Sequence, residues 1–478
     1  MPGGLIQIAQ MGSQDFYLMS NPKISFFKSV FKRYTQFSME LMNILPTVER
    51  NLNKTSEVKL EFEISRDADL IKDVYFVFTL PEIFSNTSYQ FQWIKRIGEY
   101  IVKDVKISIG SRQLDKHYGE WLHIWNELNL DKDKVDGYNE LIGNVTAMYD
   151  PKTANGGSTY PAGSSPVPSI QSRKIYLPLS FWFNQHFGSA LPLIAMQYDT
   201  LPVIEFTLRP FQELYTIIDT DRKRPVGSTD AHNLGQFLED ATSISTLNIS
   251  PSLEVNYIYL DTDERKRFAA SNHEYLMKKL VRIEDSVTPS TNGDNTHTVD
   301  LKISHPVAQL CWFLRRTDLE SVNDWTNFTN WPTTSNPIYD TDNPYGTNLT
   351  LNSSTYPSYK NHDLMLNGKI ILDGQDRFAD KDNTILHKVL PFQHNKKIPS
   401  TLGIYSYSFA VENSELQPSG ACNMSNHSKI QLQMTINRAP SSQFVDSLSS
   451  HDYNITIYAY YYNIFKLEGG LADMAFSD

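Results

Sequence analysis

From Lys106 to Lys116 the chain reads KISIGSRQLDK, and from Lys369 to Asp380 it reads KIILDGQDRFAD. Both open as a short alternating run, the period of a strand with one buried face. Both then break at a glycine, Gly110 or Gly374, and continue into a polar stretch holding an arginine, a bulky apolar residue and an aspartate. After each corner the same sequence of elements is predicted again. KIYLPLSFWF from Lys174 matches GIYSYSFAVE from Gly403, and the small-residue turn GSALP at Gly188 matches PSGACN at Pro418. VIEFTL from Val203 matches KIQLQMTI from Lys429, and NYIYLD from Asn256 matches NITIYAYYYN from Asn454. Alternating strands with glycine turns are common, so any one match says little. Their shared order is what predicts a duplication.

The copies differ in their insertions. The stretch from Gly110 to Ile175 is about twice that from Gly374 to Ile404, so the first copy carries extra chain there. It begins as YGEWLHIWNELNL, where Trp121, Ile124, Trp125 and Leu128 have helical spacing, and it runs into the loop ANGGSTYPAGSSPVPS. A second insertion, about 214–247, holds DTDRKRPVGSTDAHN and a short helix candidate. The second copy has its large insertion at about 315–362, rich in Asn, Thr, Ser, Tyr and Pro, a composition suited to hydrated loops. Strands are kept while loops vary, as in a scaffold that presents loops. Many short strands with almost no long helices predict an all-β chain of two tandem antiparallel jelly-roll sandwiches with a few short helices. The expected division is an amino-terminal arm at 1–24, a first roll at 25–268 and a second at 269–478. SNHEYLMKKL, with Asn272 as N-cap, is expected to form a helix bridging the two.

Composition sharpens this picture. Aromatics make up 12% of the 478 residues, which suits strands. The two cysteines, Cys311 and Cys422, cannot form a disulfide framework, and Cys311 in AQLCWFL reads as a core residue. A net charge of −11 argues against a protein that coats nucleic acid, whose affinity comes from neutralising phosphates. The first 40 residues are the exception: Lys23, Lys28, Lys32 and Arg33 interleave with Phe26, Phe27, Phe31 and Tyr34. This pattern fits a segment that docks on an acidic or membrane surface, or a docking helix rimmed by lysines. MPGGLIQIAQMGSQD lacks the basic and apolar regions of a signal peptide. The uncharged run from Ile175 to Tyr198 is interrupted by FNQHFGS and by Pro178 and Pro192, so it reads as two buried strands rather than a membrane helix.

Candidate chemistry is thin. His117, Glu120 and His123 do not have the spacing of a zinc protease, and H-E-x-x-H, G-x-S-x-G, P-loop and dinucleotide fingerprints are all missing. The acidic runs DKDKVDGYNE and DTDER do not follow a calcium-loop pattern, and the second runs into Arg265, Lys266 and Arg267 as a self-neutralising surface segment. No enzyme, metal or cofactor is expected. Ten N-x-S/T sequons leave glycans on outer loops as an open reading.

The opening GGLIQIAQMGSQDFYLMSNPKISFFKSVFKRYTQFSME resembles the amino terminus of major capsid proteins of nucleocytoplasmic large DNA viruses, in the algal-virus and giant-virus branch. DKHYGEW, LPLIAMQYDTLPVIEFTL, YIYLDTDERKRFA, HEYL, LDGQDRFA and QPSGACNMS follow in that family's order, along nearly the whole chain. Met11, Ser13 and Ser20 depart from its usual residues. The resemblance implies a double jelly roll whose homotrimer is a capsomer with a pseudo-hexagonal outline, tiling an icosahedral shell over an internal membrane. It implies a virion location, with assembly at virus factories in the host cytoplasm. Two similar rolls repeated around a threefold axis fill six places, which explains why one chain builds the same corner twice. The implied contacts use sheet edges and inserted loops, including Trp325 and Trp331 in the stretch Asp324–Trp331. The segment with Lys23, Phe26, Phe27, Lys28, Lys32 and Arg33 would lie beneath, against the membrane or minor capsid proteins. Two alternatives stand beside this: a minor capsid paralogue of the same fold, and a sandwich that binds or cleaves carbohydrate, with Trp93, Trp121 or Trp331 stacking on sugars.

Overall fold

The computed structural model describes residues 2–85, 89–149, 168–219, 233–238, 244–288, 295–320, 323–330, 363–437 and 452–476. Trp331 and the expected insertion down to residue 362 lie outside those residues, as do 150–167 and 220–232. The chain divides into a small unit, Met1–Phe37, and a large one, Ser38–Asp478.

The small unit contains two short helices, α1 (Gly3–Ala9) and α2 (Ser13–Met19). Asp15 closes the start of α2 by accepting from the Gly12 backbone N–H at 2.9 Å. From Ser20 to Gln36 no helix or strand forms, so the basic and aromatic positions do not sit on a docking helix.

In the large unit, the first roll is built from β1 (Phe37–Ile44), β2 (Val58–Glu63), β3 (Leu70–Leu80), β4 (Val102–Ile109), β5 (Arg112–Tyr118), β6 (Arg173–Pro178), β7 (Leu191–Pro192), β8 (Pro202–Leu208) and β9 (Ser252–Leu260). The second is built from β10 (His273–Val287), β11 (Thr296–Asp300), β12 (Pro306–Arg316), β13 (Met365–Leu372), β14 (Gln375–Asp376), β15 (Tyr405–Ser408), β16 (Cys422–Asn423), β17 (Ile430–Ile436) and β18 (Tyr453–Glu468). One sheet of the first roll runs β1-β9-β3-β6, with β7 paired to β3, and the other runs β2-β8-β4-β5. The second roll repeats both orders: β10-β18-β12-β15 with β16 on β12, and β11-β17-β13-β14. Each strand of the second roll thus holds the place of the strand nine labels earlier. All four matches predicted from sequence fall on such pairs: β6 with β15, β7 with β16, β8 with β17, and β9 with β18.

Alternation does the work in both copies. In β2 Val58, Leu60 and Phe62 point inward while Lys59, Glu61 and Glu63 point out. β17 behaves alike, with Ile430, Leu432, Met434 and Ile436 buried. Phe62 of β2 and Phe76 of β3 both pack on Phe206 of β8, at 5.7 and 4.4 Å between ring centroids, which links the two sheets of the first roll. Burying each such ring stabilises the fold by roughly 1.5–3 kcal/mol.

The expected bridging helix is a strand. β10 starts at His273 and pairs with β18 over its whole length, from His273↔Leu467 to Val287↔Tyr453. Along one face Met277 joins the first roll's core and Val281 and Ile283 pack on the second roll's, while Leu280 on the other face joins the cluster between the rolls. Apolar residues on both faces blur the two-residue period, and pairing with a long partner strand overrides local helix propensity. The neighbouring TDERKRFAA forms a helix instead, α4 (Thr262–Ala270), after α3 (Gly119–Asn129) in chain order. Asp263 and Glu264 in the first turn of α4 and Arg267 in its last turn complement the helix dipole. The uncharged run resolves into β6 and β7, joined through a short helix at Trp182–Gln185. Among the described residues no helix is long and apolar enough to cross a membrane.

Candidate functional site

The two rolls meet around α3, the helix that the first insertion places directly after β5. Gly119 is required at its start: a Cβ there would sit 2.3 Å from the carbonyl oxygens of Glu99 and Val102. With Trp121, Ile124, Trp125 and Leu128 three, four and seven residues apart, one face of α3 is apolar. That face clusters with Leu280 of β10, Cys311 and Phe313 of β12, and Tyr458 and Tyr460 of β18. Ring centroids of Trp121 lie 5.3 Å from Tyr458 and 5.4 Å from Tyr460, and Trp125 lies 5.0 Å from Tyr460. Leu122, on the flank of that face, belongs to the first roll's core. One helix therefore serves two cores.

Charge is buried at both ends of α3. Glu120 Oε1 accepts from Arg315 at 2.6 Å, its other oxygen lies 3.5 Å from Arg282, and Arg209 stands 3.9 Å away. Arg209 comes from the first roll, and Arg282 and Arg315 come from β10 and β12 of the second. Burial alone would raise the Glu120 carboxyl, but Arg315, Arg209 and Arg282 more than offset it and hold it at about 2. At the other end Arg96 pairs with Glu99 at 2.5 Å and Glu127 at 2.9 Å. The second oxygen of Glu127 accepts from the Ser400 backbone N–H at 2.8 Å and its hydroxyl at 2.7 Å. Burial opposes ionisation of Glu127 too, yet Arg96, Lys397 and the Ser400 hydroxyl bring it to about 2. His123 sits between the Tyr100 hydroxyl at 2.9 Å and the Thr401 hydroxyl at 3.3 Å, and burial first, then the Arg96 charge, keeps the imidazole neutral. This is a joint of buried ion pairs between the two rolls. Among the described residues no group of three or more His, Cys, Asp or Glu is arranged to hold a metal ion.

Further contacts join the rolls. Trp325 is buried: its indole N–H donates to the Glu213 carbonyl at 2.9 Å, and Arg209 and Arg315 stack over its ring at 4.3 and 5.3 Å. At the far end, the strand Leu471–Met474 folds back on β18, and the Ala472 N–H donates to Asp199 at 2.9 Å while its carbonyl accepts from Arg112.

The other residues singled out by sequence lie elsewhere. Gly110 and Gly374 both have positive φ, +60° and +82°, but they hold different places in their two-residue turns. Ile109 pairs with Arg112, so Gly110 is the first turn residue, whereas Leu372 pairs with Gln375, so Gly374 is the second and Asp373, at φ +51°, is the first. In the small unit Lys23, Lys28, Lys32 and Arg33 are exposed, as are Phe26 at 90% and Phe27 at 99%. Trp93 and Trp121, named above as sugar-stacking candidates, are buried. The Glu120 cluster was not anticipated from sequence. Its one local signal is a pair of acidic residues, Glu120 and Glu127, seven apart on a helix whose other face is aromatic.

Comparison with known proteins agrees with this architecture. Two family profiles tile the chain: one described as the major capsid protein N-terminus matches residues 25–261, and one described as the large eukaryotic DNA virus major capsid protein matches residues 264–473. The major capsid protein of Pyramimonas orientalis virus is 30% identical, and that of Phaeocystis pouchetii virus 29% identical, each over the full length of both chains. A chain of the PBCV-1 virus capsid superposes with a TM-score of 0.69 at 25% identity, covering 95% of this chain and 100% of that one. The Faustovirus major capsid protein, at 12% identity and a TM-score of 0.65, shares the fold. A doubled strand order and full-length relatives point the same way: the chain belongs to the major capsid protein family of large eukaryotic DNA viruses.

Proposed function

We propose that three copies of this chain associate into a capsomer of pseudo-hexagonal outline, and that capsomers tile an icosahedral virion shell over an internal membrane. The observation that carries this reading is the strand-for-strand repeat of the two rolls. Two equivalent bodies per chain, tripled, offer six equivalent edges. The seam around α3 adds rigidity, since a joint filled with aromatic rings and paired charges fixes the angle between the rolls. The rolls are taken to span 25–268 and 269–478, with the arm at 1–24. The exposed basic and aromatic positions from Lys23 to Arg33 support docking of that segment beneath the capsomer, on the membrane or on minor capsid proteins. Sheet edges and inserted loops, the stretch with Trp331 among them, would form the trimer interface, the large loops would face outward and could carry glycans, and assembly would take place in the host cytoplasm. The role is structural, with no catalytic step.

Electron microscopy of the purified protein tests the capsomer: hexagonal particles are expected, and isolated two-lobed particles would count against it. Protease digestion of sealed virions tests the arm. Early cleavage at Lys28 or Lys32 would contradict its burial.

A further inference from the structure

At one corner of the second roll three side chains stand in line. The Cys422 Sγ lies 3.8 Å from His427 Nε2, and His427 Nδ1 donates to Asp373 Oδ2 at 2.8 Å. Asp373 is itself held by three donors on its other oxygen: the Ser428 N–H at 2.7 Å, the Ser428 hydroxyl at 2.7 Å and the Lys429 N–H at 3.1 Å. Those donors, the Ser428 and His427 side chains foremost, keep the carboxyl well below its ordinary range. With Nδ1 committed to a carboxylate, the lone pair of the imidazole is on Nε2 and faces the sulfur. That is the order of a nucleophile, its base and the group that orients the base.

The first roll shows that the fold does not demand this trio. Cys422 pairs with Val307 near the start of β12, as Leu191 pairs with Ile71 near the start of β3. A 3-10 turn follows in each, Met424–Asn426 and Leu193–Ala195, capped by His427 and Met196. The first turn residues are Asp373 and Gly110. The same three places thus hold leucine, methionine and glycine in one roll and cysteine, histidine and aspartate in the other.

We propose that Cys422 is a reactive thiol, activated by His427 as base with Asp373 as positioning residue, and that it takes disulfides as substrate by thiol–disulfide exchange. The sulfur attacks one atom of an R–S–S–R disulfide, its proton passes to His427 Nε2, and the S–S bond breaks. The departing thiolate takes that proton, leaving Cys422–S–S–R and RSH with no net oxidation. Burial raises the Cys422 thiol and the Arg377 charge pulls the other way, so the resting sulfur keeps its proton and a base within reach is what primes it. The chain carries its own control, because Cys311 is fully buried between the rolls and burial pushes its thiol far up.

The test is the rate at which native protein releases thiopyridone from dithiodipyridine, with adduct mass mapped to the two cysteines. One equivalent is expected, on Cys422, faster than with free glutathione at the same pH. His427→Gln and His427→Met, the latter copying the first roll, should each slow the reaction at least ~100-fold, the lower end of what a positioned base contributes. They should also remove the imidazole inflection from the pH–rate profile, leaving the thiol's own titration beside the fixed charge of Arg377. Asp373→Asn should slow it less, and Asp373→Glu should restore it in part. A wild-type rate no faster than glutathione, or unchanged rates in folded His427 variants, overturns the proposal.

Discussion

Between β5 and β6 the first roll carries α3 and the helical turns after it, while between β14 and β15 the second carries the two-residue strand Lys381–Asp382 and the short helices Ile385–Val389 and Leu390–His394. The sheets on either side have the same strand order. The difference therefore lies in what the connection does. The first roll sends its insertion across to the second and plants two tryptophans and two carboxylates there, whereas the second roll supplies the aromatic face of β12 and β18, the arginines that receive Glu120 and the Ser400 donors that receive Glu127. Repeated strands make two equal bodies. The unequal connection after β5 ties them together, and the corner at Asp373 shows the same division of labour on a smaller scale.

The most disruptive way to break this asymmetry is Glu120→Ala. It leaves Arg315, Arg282 and Arg209 facing one another without their shared anion, and losing one partner of a buried ionic cluster typically costs about 3–5 kcal/mol. Urea unfolding should show that loss, or a split transition as the rolls part; a shift below about 1 kcal/mol would mean the seam is not where the rolls are held.

Acid should act on the same joint. The folded values of Glu120 and Glu127 lie at about 2, below the unfolded 4.5, so their stabilisation is complete above pH 4.5 and is lost as pH falls towards 2. A melting temperature followed down this range should fall in wild type and fall less in Glu120→Gln. Equal slopes would remove Glu120 from the account.

Two glycines on neighbouring helices sharpen the comparison further. Gly119→Ala would drive a methyl into two backbone carbonyls, at an expected cost of about 1–3 kcal/mol. Gly137, in the helix Val135–Leu141 with open space around it, should gain roughly 0.4–1 kcal/mol from the same change. At the corner Gly374→Ala meets no atom and should cost about 1 kcal/mol, for its positive φ, a smaller loss than at Gly119. A larger loss at Gly374 than at Gly119 would reverse the ranking of seam over corner.

The strands and their repetition were legible because alternation is a local property, as in β2 and β17. The helical face of α3 was legible for the same reason. The joint it makes was not, because the partners of Glu120 lie at positions 209, 282 and 315 and no local pattern links them. β10 was misread because a strand buried on both faces loses its period. The matched glycines looked equivalent in sequence, yet one residue of turn register separates them, and that offset puts Asp373 where it reaches His427.

The native mass of the purified chain, measured together with its outline in cryo-electron micrographs, tests the central claim most directly. The expected result is three times the 54.8 kDa chain mass in a six-cornered particle with two lobes per chain. A six-cornered particle built from six chains, or a stable monomer that forms no such particle at any concentration, would contradict it.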